Sequence, residues 1–166
     1  MKQSTIFRVS IATGALAILA ACGGDVAETD EGAAAASDEP AIIGERQSNF
    51  EGIGDAFKVI RGQLEGGAPD FAAIGSAATD INERAQKITD HFPADTSVDD
   101  GYDTEALATI WEKPAEFEKA AQDLVDASAE MITIAAGGDA AAVGEQVKAI
   151  GGTCKACHDD FRLDTD

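Results

Sequence analysis

The chain has 166 residues, of which 31 are acidic and 12 are lysine or arginine, so its formal charge is -19. This length suits a single domain. The acidity excludes nucleic acid and anionic lipid surfaces as partners because both would repel the protein, and it favours a basic docking partner or simply solubility.

The first 21 residues predict an export signal. Lys2 and Arg8 precede the apolar run "VSIATGALAILAA", which is shorter than the roughly 20 residues of a membrane-spanning helix. The sequence "LAAC" resembles the lipobox of bacterial lipoproteins, in which Cys22 would become the acylated first residue. The alternative is an ordinary secretory signal in which Cys22 has no role. Both interpretations export the protein to the periplasm, and the first anchors it by lipid to the outer membrane.

The segment 22–45 predicts an acidic, disordered tether. Residues 23–45 contain seven acidic residues and no basic one, and they carry almost no apolar bulk before Ile42. Such a composition cannot bury enough apolar surface to fold. The folded domain is therefore predicted over 46–166, with the tether holding it off the membrane.

Four amphipathic helices follow in chain order. The first carries apolar residues at steps of three and four and ends at Gly66-Gly67, and Pro69 suits the first turn of the second. The second keeps this rhythm as far as Ile88. The stripes of these two helices are Phe50, Ile53, Phe57, Ile60 and Leu64, then Phe71, Ile74, Ala78, Ile81, Ala85 and Ile88.

A long loop divides the helices into two pairs. The stretch "HFPADTSVDDGYD" breaks the helical period, and "TEALATIW" predicts a short helical turn. The third helix starts near Pro114, and Asp139 is the predicted N-cap of the fourth. Their inward stripes are Phe117, Ala121, Leu124, Ser128 and Met131, then Val143, Val147, Ile150, Cys154, Cys157 and Phe161.

These helices predict an all-α fold, an antiparallel four-helix bundle. No segment shows the alternation of a β-strand. Many inward positions are small and only 5% of the residues are aromatic, so the side chains leave volume in the middle of the bundle.

The group "CKACH" near the C-terminus predicts the occupant of that volume. Cys154 and Cys157 lie on the inward stripe, and His158 follows directly. An exported pair at this spacing suits a disulfide, a redox-active dithiol or a haem attachment site. Haem c uses all three residues, with two thioether bonds and an axial histidine. A zinc site would need further ligands, and His91 is the only other histidine.

With this motif in a four-helix bundle, the chain resembles the class II c-type cytochromes, most closely the cytochrome c′ family. The resemblance covers residues 46–163, and the residues that carry it are "RQSNFEGIGDAFKVI", "HFP", "IWEKPAEFEKAAQDL" and "CKACHDDFR". The resemblance implies one covalent haem c per chain, in the C-terminal half of the bundle. It also implies, for many members, a homodimer formed through the first two helices.

The resemblance also assigns roles around the iron. It places Phe50 over the open face, where low-spin relatives carry a methionine, and so implies five-coordinate, high-spin haem. Arg46 and Gln47 would bind a haem propionate, and Arg162 would lie near the proximal face. The alternatives are that Phe50 is simply a core residue and that Arg162 is an exposed charge at a helix end.

Met131 and His91 are the other candidates for a sixth iron ligand, but neither position favours ligation. The heptad position of Met131 suggests core packing, and His91 beside a proline suggests a surface or capping residue. Lys155 fills the variable position of the motif and faces solvent.

Three functions fit these features. Phe50 offers no hydrogen-bond donor, which bound dioxygen needs more than nitric oxide or carbon monoxide does. We therefore expect a protein that binds small diatomic gases and protects against nitrosative stress. The alternative is an electron carrier of a respiratory or denitrification chain, docking on a basic partner. An enzyme, such as a weak nitric oxide reductase or peroxidase, is disfavoured because no distal acid–base pair is visible.

Overall fold

A computed structural model describes residues 39–165, and four long helices build it. They are α1 (Ala41–Glu65), α2 (Phe71–Ala85), α4 (Pro114–Gly137) and α5 (Ala140–Phe161), with the single turn α3 (Thr109–Glu112) before α4. Two 3₁₀ turns, Thr89–His91 and Val98–Asp100, lie between α2 and α3. Helix α1 packs on α2, α2 on α4, and α4 on α5. This arrangement confirms the predicted antiparallel four-helix bundle.

Helix α1 begins five residues before the predicted start of the domain, which corrects the predicted tether boundary at residue 45. Pro40 precedes the first turn, and Ile43 is fully buried. The reason is that Ile43 continues the inward stripe one turn upstream, at a spacing of three from Arg46. The signal sequence, Cys22 and tether residues 22–38 lie outside the described residues.

The helix caps show where the sequence prediction was right and where it was shifted. Asp139 caps α5, since its carboxylate accepts hydrogen bonds from the amides of Ala141 (2.9 Å) and Ala142 (3.2 Å). Asp70 does the same for α2, so Pro69 lies outside the helix rather than in its first turn. Helix α2 ends at Ala85, and Ile88 is buried in the turn that follows.

The core is built from the predicted stripes. All five predicted inward residues of α4 are buried, and Ser128 and Met131 are completely inaccessible. A polar contact ties α2 to α4, because the Asn82 amide donates to the carbonyl of Val125 (2.8 Å) and to the hydroxyl of Ser128 (3.0 Å). Such satisfied buried polar groups fix how two helices pack.

Of the four long helices, α1 and α5 are the packed pair that touch each other least. They approach where Phe57 faces Gly151, at which an added Cβ would lie 4.0 Å from the ring. Towards Arg46 on α1 and His158 on α5 a cavity separates them. Within residues 39–165, no helix has the length and apolar character needed to cross a membrane.

Candidate functional site

A cavity of about 860 Å³ lies between α1, the loop before α3, α4 and the C-terminal part of α5. This volume falls in the range of roughly 300–1,000 Å³ that is usual for cofactor sites. Its walls are mainly apolar, and small residues such as Gly54 and Ala121 leave room. The large apolar residues that line it are Phe50, Ile53, Ile88, Phe92, Ile110, Phe117, Leu124 and Phe161.

Cys154 and Cys157 both line this cavity and are half-buried. They are not bonded to each other, so the predicted alternative of a disulfide is not formed. Burial raises the pKa of the Cys154 thiol, and burial together with Cys154 and Asp160 raises the pKa of Cys157 to about 11. A redox-active cysteine needs a lowered thiol pKa, so these values disfavour the dithiol interpretation.

The zinc alternative also lacks support. In the part of the chain that the structure describes, no three His, Cys, Asp or Glu side chains are grouped so that they could hold a metal ion. A structural zinc site takes four such ligands. The cysteine pair and His158 therefore suit a prosthetic group that brings its own metal.

His158 lies on the last turns of α5, four residues after Cys154, and lines the cavity while remaining partly exposed. Partial burial and then the charge of Arg162 lower the pKa of its imidazole, against smaller opposing effects of Glu105 and Asp159. The neutral imidazole is the form that binds a metal. Its environment therefore favours ligation.

The two other residues considered as iron ligands lie away from the cavity. Met131 is completely buried in the core, as its heptad position predicted, and it is not among the lining residues. His91 is only partly buried and does not line the cavity either, although its Nδ1 is buried without a hydrogen-bond partner. Among the described residues that line the cavity, His158 is the only histidine, and none is a methionine.

Phe50 lines the cavity from the α1 side and is half-buried. Its ring meets Phe92 edge to face, with 6.2 Å between the ring centroids. Phe92 contacts Phe117 in turn (4.8 Å), and Phe117 contacts Phe161 (5.3 Å). Edge-to-face aromatic pairs of this kind stabilise one another beyond their buried area. Phe50 is thus a wall of the cavity and also packs against the core, and its predicted place over the iron stays a prediction.

Arg46 is buried and binds the loop before α3. Its guanidinium donates to the hydroxyl and the carbonyl of Thr96 (3.3 and 3.0 Å) and to the hydroxyl of Thr104 (2.8 Å), and it lies 4.6 Å from the centre of the Phe92 ring. Burial lowers the pKa of Arg46, while Glu39 opposes this. Because an arginine carries five N–H donors, two remain for another acceptor beyond these three bonds.

Gln47 and Arg162 contact neighbouring residues of the same loop, Asp103 and Glu105. The Gln47 side-chain amide donates to the carbonyl of Asp103 (2.9 Å). Arg162 follows the last residue of α5, and its Nε donates to the Glu105 carboxylate, which holds the pKa of Glu105 below its usual value. Both side chains line the cavity, so the structure brings together all the cavity residues that the sequence predicted.

Comparison with known proteins identifies the family. The family model described as Cytochrome C′ matches residues 41–162. The chain belongs to the cytochrome c′ family. It is 34% identical over 158 residues to the cytochrome c′ of Rhodopseudomonas palustris, covering 93% of this chain and 97% of that protein.

Solved structures of cytochromes c′ match the bundle as well. One from Rhodobacter sphaeroides is 29% identical with a TM-score of 0.68, over 75% of this chain and 96% of that one. Another, described as having an unusual ligand-controlled dimer dissociation, is 27% identical with a TM-score of 0.68, over 75% and 95%. Cytochromes c′ bind haem c covalently, so this chain is a haem c protein. The paired thiols, the adjacent imidazole and the apolar cavity fit that group.

The sequence did not indicate the loop residues of this cytochrome c′ site. Tyr102, Thr104 and Glu105 line the cavity, and Thr96 accepts two hydrogen bonds from Arg46. From sequence alone, short polar residues in an acidic loop are expected to face solvent. The only signal was "HFP", which the resemblance marked and whose Phe92 lies at the centre of the aromatic cluster.

Proposed function

We propose that this cytochrome c′ binds small diatomic gases, chiefly nitric oxide and carbon monoxide, at a five-coordinate haem iron. In this proposal Cys154 and Cys157 form the thioether bonds and His158 is the axial ligand. The observation that carries it is the composition of the cavity wall: besides His158, no described lining residue is a histidine or a methionine. The haem would then supply an iron with one open coordination position.

The α1 side of the cavity wall favours particular gases in this proposal. Phe50 lines the cavity with a ring that neither donates nor accepts a conventional hydrogen bond. Bound dioxygen gains from a donor, whereas nitric oxide and carbon monoxide depend on one less. This contrast supports a role in gas binding and, in the cell, protection against nitrosative stress.

Charged residues at one end of the cavity suit the carboxylates of the haem. Arg46 keeps two donors beyond its bonds to the loop, and Gln47 keeps one N–H. A buried cation beside a carboxylate gives a charge-assisted hydrogen bond. We assign both residues to a propionate, and Arg162 to the side of His158.

The alternative function is electron transfer, and one observation favours it. Glu51, Asp103 and Glu105 all line the cavity, and the protein as a whole is strongly acidic. This charge would steer a basic redox partner towards the haem. The cytochrome c′ family consists of haem-binding proteins and is not a recognised enzyme family, so an enzymatic role as nitric oxide reductase or peroxidase ranks below both.

The location and the assembly of the protein are two further proposals. The first concerns the segment before the bundle, and the second concerns the bundle itself. We propose export to the periplasm, with Cys22 as a lipid anchor to the outer membrane and the acidic segment up to Pro40 as the tether. We also propose a homodimer through α1 and α2, and the ligand-controlled dimer dissociation described for one solved relative supports it. In this dimer Val59 on α1, which is 47% exposed, would lie on the face that pairs. Sedimentation with and without carbon monoxide tests it, and a monomer under both conditions would contradict it.

Optical spectroscopy of the mature protein tests the gas-binding proposal. We expect a high-spin ferric spectrum, and a ferrous form that binds carbon monoxide directly. A low-spin, six-coordinate spectrum in both oxidation states would overturn the proposal and place electron transfer first.

A further inference from the structure

Helices α1 and α5 line the cavity from two sides and make few contacts with each other. Helix α1 carries Phe50 and α5 carries His158, and one place where the two helices approach is Phe57 beside Gly151. Beyond that point the cavity lies between them. Direct packing of α1 on α5 therefore contributes little to their separation at this end, which depends on α2 and α4 and on any other segment that bridges the two helices.

Residues 103–107, here called the strap, connect the two helix ends. On the α1 side, Arg46 donates to the Thr104 hydroxyl (2.8 Å) and Gln47 donates to the Asp103 carbonyl (2.9 Å). The amide of Asp103 in turn donates to the carboxylate of Glu39, just before α1 (3.2 Å). Three bonds thus hold the strap to the start of α1.

The same few residues are bound to the end of α5. The amide of Leu107 donates to the carbonyl of Phe161 (3.1 Å), and the amide of Leu163 donates to the carbonyl of Glu105 (2.8 Å). Ala106 and Arg162 form an isolated antiparallel bridge there, beside the ion pair of Arg162 with Glu105. The strap is therefore tied on both sides within five residues.

We infer that the strap holds the open ends of α1 and α5 at a fixed separation, and that Thr104 is the positioning residue through which Arg46 sets it. Thr104 stands out because its hydroxyl accepts from Arg46 and also from the strap amide of Ala106 (3.2 Å). Hydrogen bonds from a charged donor are stronger than neutral ones, and Arg46 is 3% exposed, so water competes little for it.

Access to the cavity depends on this strap. Asp103, Thr104, Glu105 and Ala106 all line the cavity, so lifting them away from α1 would open its wall. A looser strap would let a gas molecule enter faster, without any change to the residues nearest the iron. This consequence for gas entry rests on the proposed function, whereas the holding role of the strap does not.

The variant Thr104→Val of the mature haem-loaded protein tests the inference, because it removes the hydroxyl and keeps the shape. Amide hydrogen exchange is measured at Leu107 and Leu163, whose bonds lie on the α5 side and are not touched by the substitution. We expect their exchange to rise roughly ten- to hundredfold, as loss of one charge-assisted hydrogen bond implies. Thr104→Ser, which restores the hydroxyl, should return both amides to the wild-type rate.

Thr79→Val is the matched control, because the Thr79 hydroxyl is exposed and bonds only to the carbonyl of Gly75 in its own helix (2.9 Å). It should change neither amide. If only the amide of Ala106 exchanges faster in Thr104→Val, the bond is local and the strap does not act as a unit. That result would overturn the inference.

Stopped-flow carbon monoxide binding then tests the control of access. Association should be faster in Thr104→Val than in Thr104→Ser, with the same absorption spectrum in both. Faster amide exchange with an unchanged association rate would overturn the role in access. A wild-type protein that binds no carbon monoxide would refute the proposed function and this role together, while the exchange rates would still decide the holding role.

Discussion

Replacing Phe50 separates its role in the cavity wall from its role in the core. Phe50→Ala removes a half-buried ring, so the loss of stability should be about half of the ~3–5 kcal/mol that a fully buried Phe→Ala change costs, or roughly 2 kcal/mol. Part of this is the edge-to-face contact with Phe92. Chemical denaturation of both proteins in the haem-loaded form measures the difference.

The same contact sets the expected change in gas entry. If the ring has to move aside before carbon monoxide can reach the iron, its contact with Phe92 must first break. Such a pair contributes about 0.5–1.5 kcal/mol, which corresponds to an association rate roughly two- to tenfold higher in Phe50→Ala. Stopped-flow mixing of the ferrous protein with carbon monoxide gives this rate.

Two further variants make the test specific. Phe57→Ala removes another half-buried ring of the same α1 stripe, but Phe57 does not line the cavity, so it should lose stability without faster gas binding. Phe50→Met should give a low-spin, six-coordinate iron if the sulfur reaches it. Unchanged rates in Phe50→Ala together with an unchanged spectrum in Phe50→Met would refute the placement of Phe50 over the iron.

Three other predictions concern attachment, folding and export. Changing both Cys154 and Cys157 to Ala should abolish covalent haem, and acid extraction of the denatured wild-type protein should release none; free release from the wild type would refute the thioether assignment. Asp139→Ala should destabilise the protein by about 1 kcal/mol in a denaturant titration, because the carboxylate caps two amides of α5, whereas an effect near zero would show that water replaces the cap. Mass spectrometry of the mature protein from its native host should find a lipid-modified N-terminus at Cys22, and an unmodified start at another residue would leave a plain periplasmic protein.

The helices and the haem motif could be predicted because their causes are local in the sequence. A stripe of apolar residues at steps of three and four reports one buried helix face, and the buried residues of α4 follow it without exception. The group from Cys154 to His158 occupies little more than one helical turn, so spacing alone brings its members to the same cavity. Both predictions needed no information from distant parts of the chain.

The sequence prediction places the start of α1 too late, because the composition of the preceding segment indicates disorder while the spacing of its last apolar residues indicates a helix. The acidic, alanine-rich stretch before Ile42 predicts disorder, and that prediction was carried too far, to residue 45. Ile43 is one apolar residue at the edge of this stretch, yet it is fully buried. Ile43 is in phase with the apolar stripe that follows, so its burial extends α1 upstream. One such residue hardly changes the average hydrophobicity of the segment.

The loop could not be predicted because its partners are distant and polar. Arg46 reaches Thr96 and Thr104, which lie 50 and 58 residues further along the chain. A loop rich in threonine and aspartate looks the same in the sequence whether those residues face water or bind a buried cation. Which of the two occurs depends on where the helices leave space, and that is a property of the assembled bundle.

The distribution of large side chains explains why that space lies at one end. Phe50, Phe92, Phe117 and Phe161 all line the cavity, whereas the fully buried positions away from it carry more compact residues, among them Ile60, Ile74, Ala78, Met131 and Val143. Covering the ring faces that border the cavity with a flat apolar group stabilises the protein by about 25 cal/mol for each Å² of apolar surface removed from water. In the proposed function, haem attached through Cys154 and Cys157 would cover these rings and complete the packing of this end of the bundle, and the proposed strap would hold two of its walls together.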